Sequence, residues 1–240
     1  MNRASIVLAS LAAVMMLLAR TGPLWAQHSD VEFSYQGGRI EIEFGPEGQI
    51  FEGEFPTSGV DLQFTSEPGF ASELSEGLGV NADDEIIYNV LSGLLFWNGN
   101  SISPAAPGTQ IRIGNRPPSV PETIVSSSSG LQPGVFSPTP INRVGAADAV
   151  GDFHSDLDWF LEPNPGTPAT GAYAVKLSLS TDEPGIADSL PFFIVHNFGF
   201  SEMDFEAGVE AFAAAIPEPG TLALVGMIAL AVASRRFDRR

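Results

Sequence analysis

The chain has 240 residues, with 29 Asp and Glu against 11 Lys and Arg, a formal net charge of −18 and no cysteine. The missing cysteine excludes disulfides, thiolate zinc sites and cysteine nucleophiles. The cations gather at the two ends, so the stretch 27–215 holds 27 acids against Arg39, Arg112, Arg116, Arg143 and Lys176, a formal charge of −22; such a body repels phosphate backbones and anionic lipid, which argues against a nucleic-acid partner.

At the N-terminus, Arg3 precedes an apolar run from Ile6 to Ala19, followed by small and polar residues up to Ala26. The run is short for a spanning helix of about 20 residues and has the layout of a secretory signal, so residues 1–26 are expected to be a removable signal helix. That leaves 27–215 as a single acidic domain, long enough to bury a core without metal or disulfide staples.

The domain reads as all-β, an antiparallel β-sandwich of jelly-roll type with a short C-terminal helix. Arg39 to Phe44 alternates strictly, with Ile40, Ile42 and Phe44 on one face and Arg39, Glu41 and Glu43 on the other. Period-two alternation marks a half-buried strand. Gly37-Gly38 separates it from Val31–Tyr35, a two-residue hairpin signal. Gly45-Pro46-Glu47-Gly48 leads to a strand over Gln49–Phe55, and Pro56 to Gly59 leads to another over Val60–Phe64. The N-terminal third is therefore expected to be a meander.

Ile86 to Trp97 predicts a bent strand or a buried pair, and Gln110–Ile113 a short strand. Ser126 to Ser129, with Pro117, Pro118 and Pro121 upstream, reads as a long loop. Ala172 to Leu179 alternates again, placing Tyr173, Val175, Leu177 and Leu179 inward against Lys176 and Ser178. Leu190–Asn197 closes the sheet. Ser201 can cap a short helix with Asp204 three residues on and a stripe of Phe205, Val209 and Phe212.

The last segment, 216–240, has three parts. Pro217-Glu218-Pro219 is followed by an apolar stretch Leu222 to Ala233 and then by Arg235, Arg236, Arg239 and Arg240. The prolines hold an extended, enzyme-accessible segment. The apolar part enters the membrane as a transmembrane helix, and the arginines keep the tail cytoplasmic. Gly220 to Ser234 is 15 residues, about 22 Å as helix. That is short for a hydrocarbon core of about 30 Å and suits a processing signal better than a permanent anchor.

In order, spacing and composition these 25 residues resemble the PEP-CTERM sorting domain. The resemblance implies recognition by an exosortase-type processing enzyme, removal of the tail, transient residence in the inner membrane, and final association with the cell surface or an exopolysaccharide matrix. It implies nothing about the activity of the domain in front.

Within the domain, His28-Ser29-Asp30-Val31-Glu32-Phe33 and His154-Ser155-Asp156-Leu157-Asp158-Trp159 are near-repeats. On strands, each puts one imidazole and two carboxylates on a single face, half of a Zn or Cu site. Two such strands side by side would complete a site from His28, Asp30, His154 and Asp156, with His196 as a third imidazole. The competing reading is a solvent-facing polar edge, which alternation predicts anyway.

The order from His154 to the Gly171-Ala172-Tyr173 strand is similar to a segment of some surface-anchored bacterial β-domains, a few of which handle metals. Asn81 to Glu85 is oxygen-rich but lacks the spacing of an EF-hand loop and reads as an exposed turn. Trp97, Trp159 and Tyr173 could stack on sugars, although aromatic residues in strands more often fill a core. No Gly-x-Ser-x-Gly elbow, P-loop or dinucleotide fingerprint is present, and no carboxylate pair singles itself out for glycoside hydrolysis. The expectation is thus a non-enzymatic, exported structural protein without a cofactor. The alternative is an extracellular metal- or carbohydrate-binding module using the His/Asp strands.

Overall fold

The computed structural model describes residues 30–43, 49–117, 122–163 and 167–215. The segments read as signal helix and sorting segment, with Pro217, Glu218, Pro219, Arg235, Arg236, Arg239 and Arg240, lie outside the described residues. Among the described residues the protein is all-β with one α-helix, and no helix there is long and apolar enough to cross a membrane.

Strands β1 (Val31–Gln36) and β2 (Arg39–Ile42) form the expected hairpin, paired from Phe33 with Ile42 to Gln36 with Arg39. Gly37 and Gly38 have φ of 59° and 79°, the paired left-handed conformations of a type I′ turn that side chains with a Cβ resist. Strand β3 (Ile50–Glu54) follows, then the two-residue β4 (Phe64–Thr65) and β5 (Phe70–Ser72). The predicted strand over Val60–Phe64 is mostly a turn: Val60 is fully exposed, Leu62 is exposed, and only Phe64 enters a ladder. With no core face to fill, the apolar Val60 and Leu62 cannot hold strand register.

The run Ile86 to Trp97 splits into β6 (Glu85–Val90) and β7 (Leu95–Trp97), both antiparallel to one later strand. Then come β8 (Ile102–Pro104), β9 (Thr109–Gly114), β10 (Thr123–Ser126) and β11 (Arg143–Ala146). The serine-rich stretch is therefore the end of a strand and a tight turn rather than a long loop. Strands β12 (Phe153–Ser155), β13 (Asp158–Pro163), β14 (Gly171–Thr181) and β15 (Phe192–Phe198) complete the set.

Among the described residues these form three sheets, in the orders β12-β5-β1-β2, β10-β9-β13-β4 and β11-β6-β14-β15-β3, with β7 paired to β14 and β8 to β7. The N-terminal third is not a meander, and the domain is not purely antiparallel. β3 leaves the hairpin to pair in parallel with β15, and β5 pairs in parallel with β1. The reason lies in β3 itself: Ile50, Phe51 and Gly53 are all buried, so the strand needs cover on both faces, which a solvent-faced meander cannot supply.

One continuous core joins the three sheets through residues such as Phe33, Phe70, Ile111, Trp159, Val175 and Leu177. A second cluster lies on the opposite face of β14 and β15. There α1 (Glu202–Ala214) packs Phe205, Val209 and Phe212 onto Ile50, Ala172, Ala174, Phe193 and Val195. β14 and β15 are consequently buried on both faces. The alternation in β14 is one of size: large Tyr173, Val175 and Leu177 face the main core, and small Ala172 and Ala174 admit the helix. The helix starts as predicted, with the Asp204 amide donating to Ser201 Oγ at 3.3 Å.

Candidate functional site

The near-repeat strands meet at a corner of the first sheet, but not side by side. β5 lies between β1 and β12. The register sets Val31 and Ser155 both opposite Phe70, so Asp30 and Asp156 flank Gly69. The Gly69 amide donates to Asp30 Oδ1 at 3.1 Å. A Cβ at Gly69 would lie 2.5 Å from Asp156 Oδ1 and 2.8 Å from Asp30 Oδ1, so the carboxylates converge over backbone that carries no side chain.

His154 stands beside them. Its Nδ1 is 3.8 Å from Asp30 Oδ2 and 3.9 Å from Glu73 Oε1, and its Nε2 is 3.9 Å from Asp156 Oδ1. Glu73, which the sequence did not single out, thus joins the corner. Partial burial pushes the Glu32 carboxyl above the ordinary range, and the charges of Glu76, Glu43, Asp30 and Glu73 push it further. The corner is a strongly electronegative surface with a half-exposed imidazole in it.

The remaining predicted metal ligands are elsewhere. His28 lies outside the described residues. His196 is fully buried in β15, stacked on Phe55 at 4.5 Å between ring centroids and tilted against Trp159 at 5.1 Å. Its Nε2 is 3.0 Å from the Glu67 carbonyl oxygen. The ring is sealed in the core rather than presented to the corner, because both faces of β15 are covered. Asp158 passes into the second sheet, since the chain changes sheets at Leu157. Among the described residues no group of three or more His, Asp or Glu side chains is arranged to hold a metal ion.

The aromatic residues weighed as sugar platforms are also committed. Trp159 and Tyr173 are core, and Trp97 lies under α1, against Gly208. A different surface is open. The outward face of the second sheet carries Gln110 and Arg112 from β9 and Phe160 and Glu162 from β13, and the turn before β4 adds Leu62 and Gln63. Together they line a shallow, open groove of about 490 Å³.

Its polar groups are held in place. Glu162 accepts from Arg112 Nε at 2.6 Å and from Gln110 Nε2 at 2.9 Å. Arg112 Nη1 donates to Glu122 at 2.6 Å, and Gln63 Nε2 donates to the Leu161 carbonyl at 3.0 Å. The guanidinium lies 3.8 Å over the Phe160 ring, which packs on Phe64. Burial works to raise the Glu162 carboxyl, yet the hydrogen bonds from Arg112 and Gln110 outweigh it and hold it below its ordinary value. A carboxylate held in its charged form is a poor proton donor at neutral pH.

Gln110 and Arg112 were legible as outward residues, since Thr109, Ile111 and Ile113 alternate with them. Phe160 was not, because Trp159-Phe160-Leu161 is apolar throughout and hides which member faces out. No protein-family model matches the chain, and none of the curated proteins compared with it is a match.

Proposed function

We propose that the protein is an exported, non-enzymatic structural protein of the cell surface or its exopolysaccharide matrix, delivered through the C-terminal Pro217-Glu218-Pro219 segment. The observation that carries the reading is the fit between domain and tail. The last described element, α1, ends at Ala214, with Ala215 as its C-cap, directly ahead of the segment read as the sorting signal. Cutting near Pro217–Pro219 would keep every described element on the released side and remove the basic tail. In this reading the mature part is a single β-sandwich of jelly-roll type, supported by the one core shared between its sheets, and its formal charge of −22 keeps it soluble and unaggregated outside the cell.

Intact-mass measurement of the protein taken from its native envelope and from the medium tests this. A mass ending near Pro217–Pro219 is the expected result, and substitution of the three motif residues by Ala should leave the tail uncut. A mature form that retains Arg235 to Arg240 would overturn sorting by removal.

A second reading, an extracellular binding module, is favoured by the groove around Arg112 rather than by the His/Asp strands. The metal form of it lacks a closed ligand set among the described residues.

A further inference from the structure

We propose that the groove formed by Leu62, Gln63, Gln110, Arg112, Phe160 and Glu162 is a binding face for a neutral, hydroxyl-rich polysaccharide. Three properties select that class of ligand.

The first is charge. Arg112 is matched by Glu122 and Glu162 at 2.6 Å each, so the groove offers no net positive charge to a polyanion, and the acidic body around it repels one. A neutral chain meets no such penalty.

The second is hydrogen-bonding character. The wall is built from planar groups, two carboxamides, one guanidinium and one carboxylate, whose donors and acceptors lie side by side. The bonds within the wall use one amide N–H of Gln63 and one of Gln110. Among the described residues the amide oxygen and second N–H of each have no other partner and are left to meet a ligand. Vicinal hydroxyls both donate and accept, and they match such fixed pairs. Because the wall is already braced, little side-chain entropy is lost on binding.

The third is the apolar share. Leu62 is 48% exposed at the rim, and the Arg112 guanidinium, lying flat over the Phe160 ring, turns a planar face to the groove. A sugar ring has a C–H face as well as hydroxyl edges, and this surface offers cover for both. Among the described residues the groove is open along its outer side, as a long polymer needs, and is not a closed pocket for a small molecule.

For its physiological partner the proposal rests on the surface-matrix reading above; the binding face itself does not depend on sorting. The test uses the full chain, kept soluble in a detergent without a sugar headgroup, and electrophoresis through native gels cast with dextran, a galactomannan, a soluble mixed-linkage β-glucan or alginate. Retardation by at least one neutral polymer and none by alginate is expected. Gln63→Ala and Arg112→Ala should each weaken it about tenfold or more, a difference of about 1.4 kcal/mol.

Arg112→Ala removes two ion pairs and is accompanied by a thermal melt. Leu62→Ala, on an exposed turn, keeps the fold and should weaken binding about threefold. Migration unchanged in all three neutral polymers overturns the proposal. So does retardation that persists in both Gln63→Ala and Leu62→Ala, or retardation by alginate alone. An uncut C-terminus with intact retardation would instead sink the sorting reading and leave this one standing.

Discussion

Asp30 and Asp156, 126 residues apart in the chain, converge over the bare backbone of Gly69, which donates its amide to Asp30 Oδ1. The space between them is set by a missing side chain. Gly69→Ala would place a methyl 2.5 Å from Asp156 Oδ1 and 2.8 Å from Asp30 Oδ1. Both carboxylates have flexible ends, so the cost is expected at the low side of overpacking, roughly 1–2 kcal/mol. Adding Asp156→Ala should recover about half of it by removing the nearer oxygen. Chemical denaturation of the single and double variants measures both. A Gly69→Ala protein as stable as the parent would mean that the two side chains swing away and define no fixed corner.

Glu32 gives the same corner a pH signature. Its carboxyl is raised above 4.5 by partial burial and by Glu76, Glu43, Asp30 and Glu73. For a group raised in the folded state, the stabilising contribution is complete below the unfolded value and is lost as pH rises through the folded one. At neutral pH the ionised Glu32 therefore works against folding, and Glu32→Gln should stabilise. After solvent screening the gain is no more than roughly 0.5 kcal/mol, a melting-temperature rise of about 1–2 °C. It should vanish near pH 3.5, where parent and variant are both neutral at this position. Equal melting temperatures at pH 7 in low salt would show that the acidic neighbours exert no effective repulsion.

Where burial was one-sided, alternation found the strands. β1, β2 and β9 keep hydrophobic and polar residues on opposite faces, and Gly37-Gly38 fixed the one hairpin register that local chemistry can specify. Alternation could not find the partners of β3 or the parallel pairing of β5 with β1, because parallel ladders depend on contacts far apart in sequence. The same limit applied to the proposed metal site. His154 has Asp152 and Asp156 two residues away, whereas His196 follows the apolar run Phe192–Val195; β15 is covered by α1 on one face and the main core on the other, which makes His196 a packing residue. Asp30, His154 and Asp156 were legible as outward-facing; Glu73 entered only through the 3-10 turn at Leu74–Glu76 that follows β5.

His196 should accordingly behave as core. Its ring fills the space between Phe55 and Trp159 with no exposure. Truncation to Ala leaves a cavity lined by two aromatic faces and removes the contact to the Glu67 carbonyl. A loss of about 2–4 kcal/mol is expected, whereas His154→Ala, at a half-exposed position, should change stability by no more than about 0.5 kcal/mol. Urea unfolding of the two variants makes the comparison. If His154→Ala is the more damaging change, the corner rather than the core is holding the first sheet in place.

The N-cap of α1 tests what holds the last described element in place. Ser201 Oγ accepts from the Asp204 amide, and Asp204 Oδ2 lies 2.7 Å from the same hydroxyl. Helix α1 covers Phe193 and Val195 of β15, so loosening its first turn should be felt in the sheet as well as in the helix. Ser201→Ala is expected to cost about 1 kcal/mol, a melting-temperature fall of roughly 2–4 °C for a domain of this size, with Ser201→Thr restoring most of it because its hydroxyl can both accept from the Asp204 amide and donate to Asp204 Oδ2. Hydrogen exchange followed by mass spectrometry should show faster exchange across Glu202–Val209 in the Ala variant, with β15 amides affected less. Equal exchange in parent and variant would mean that α1 is held by Phe205, Val209 and Phe212 alone. In that case the end of α1 would be set by packing at its far end, and residues after Phe212 should then exchange no faster in either protein.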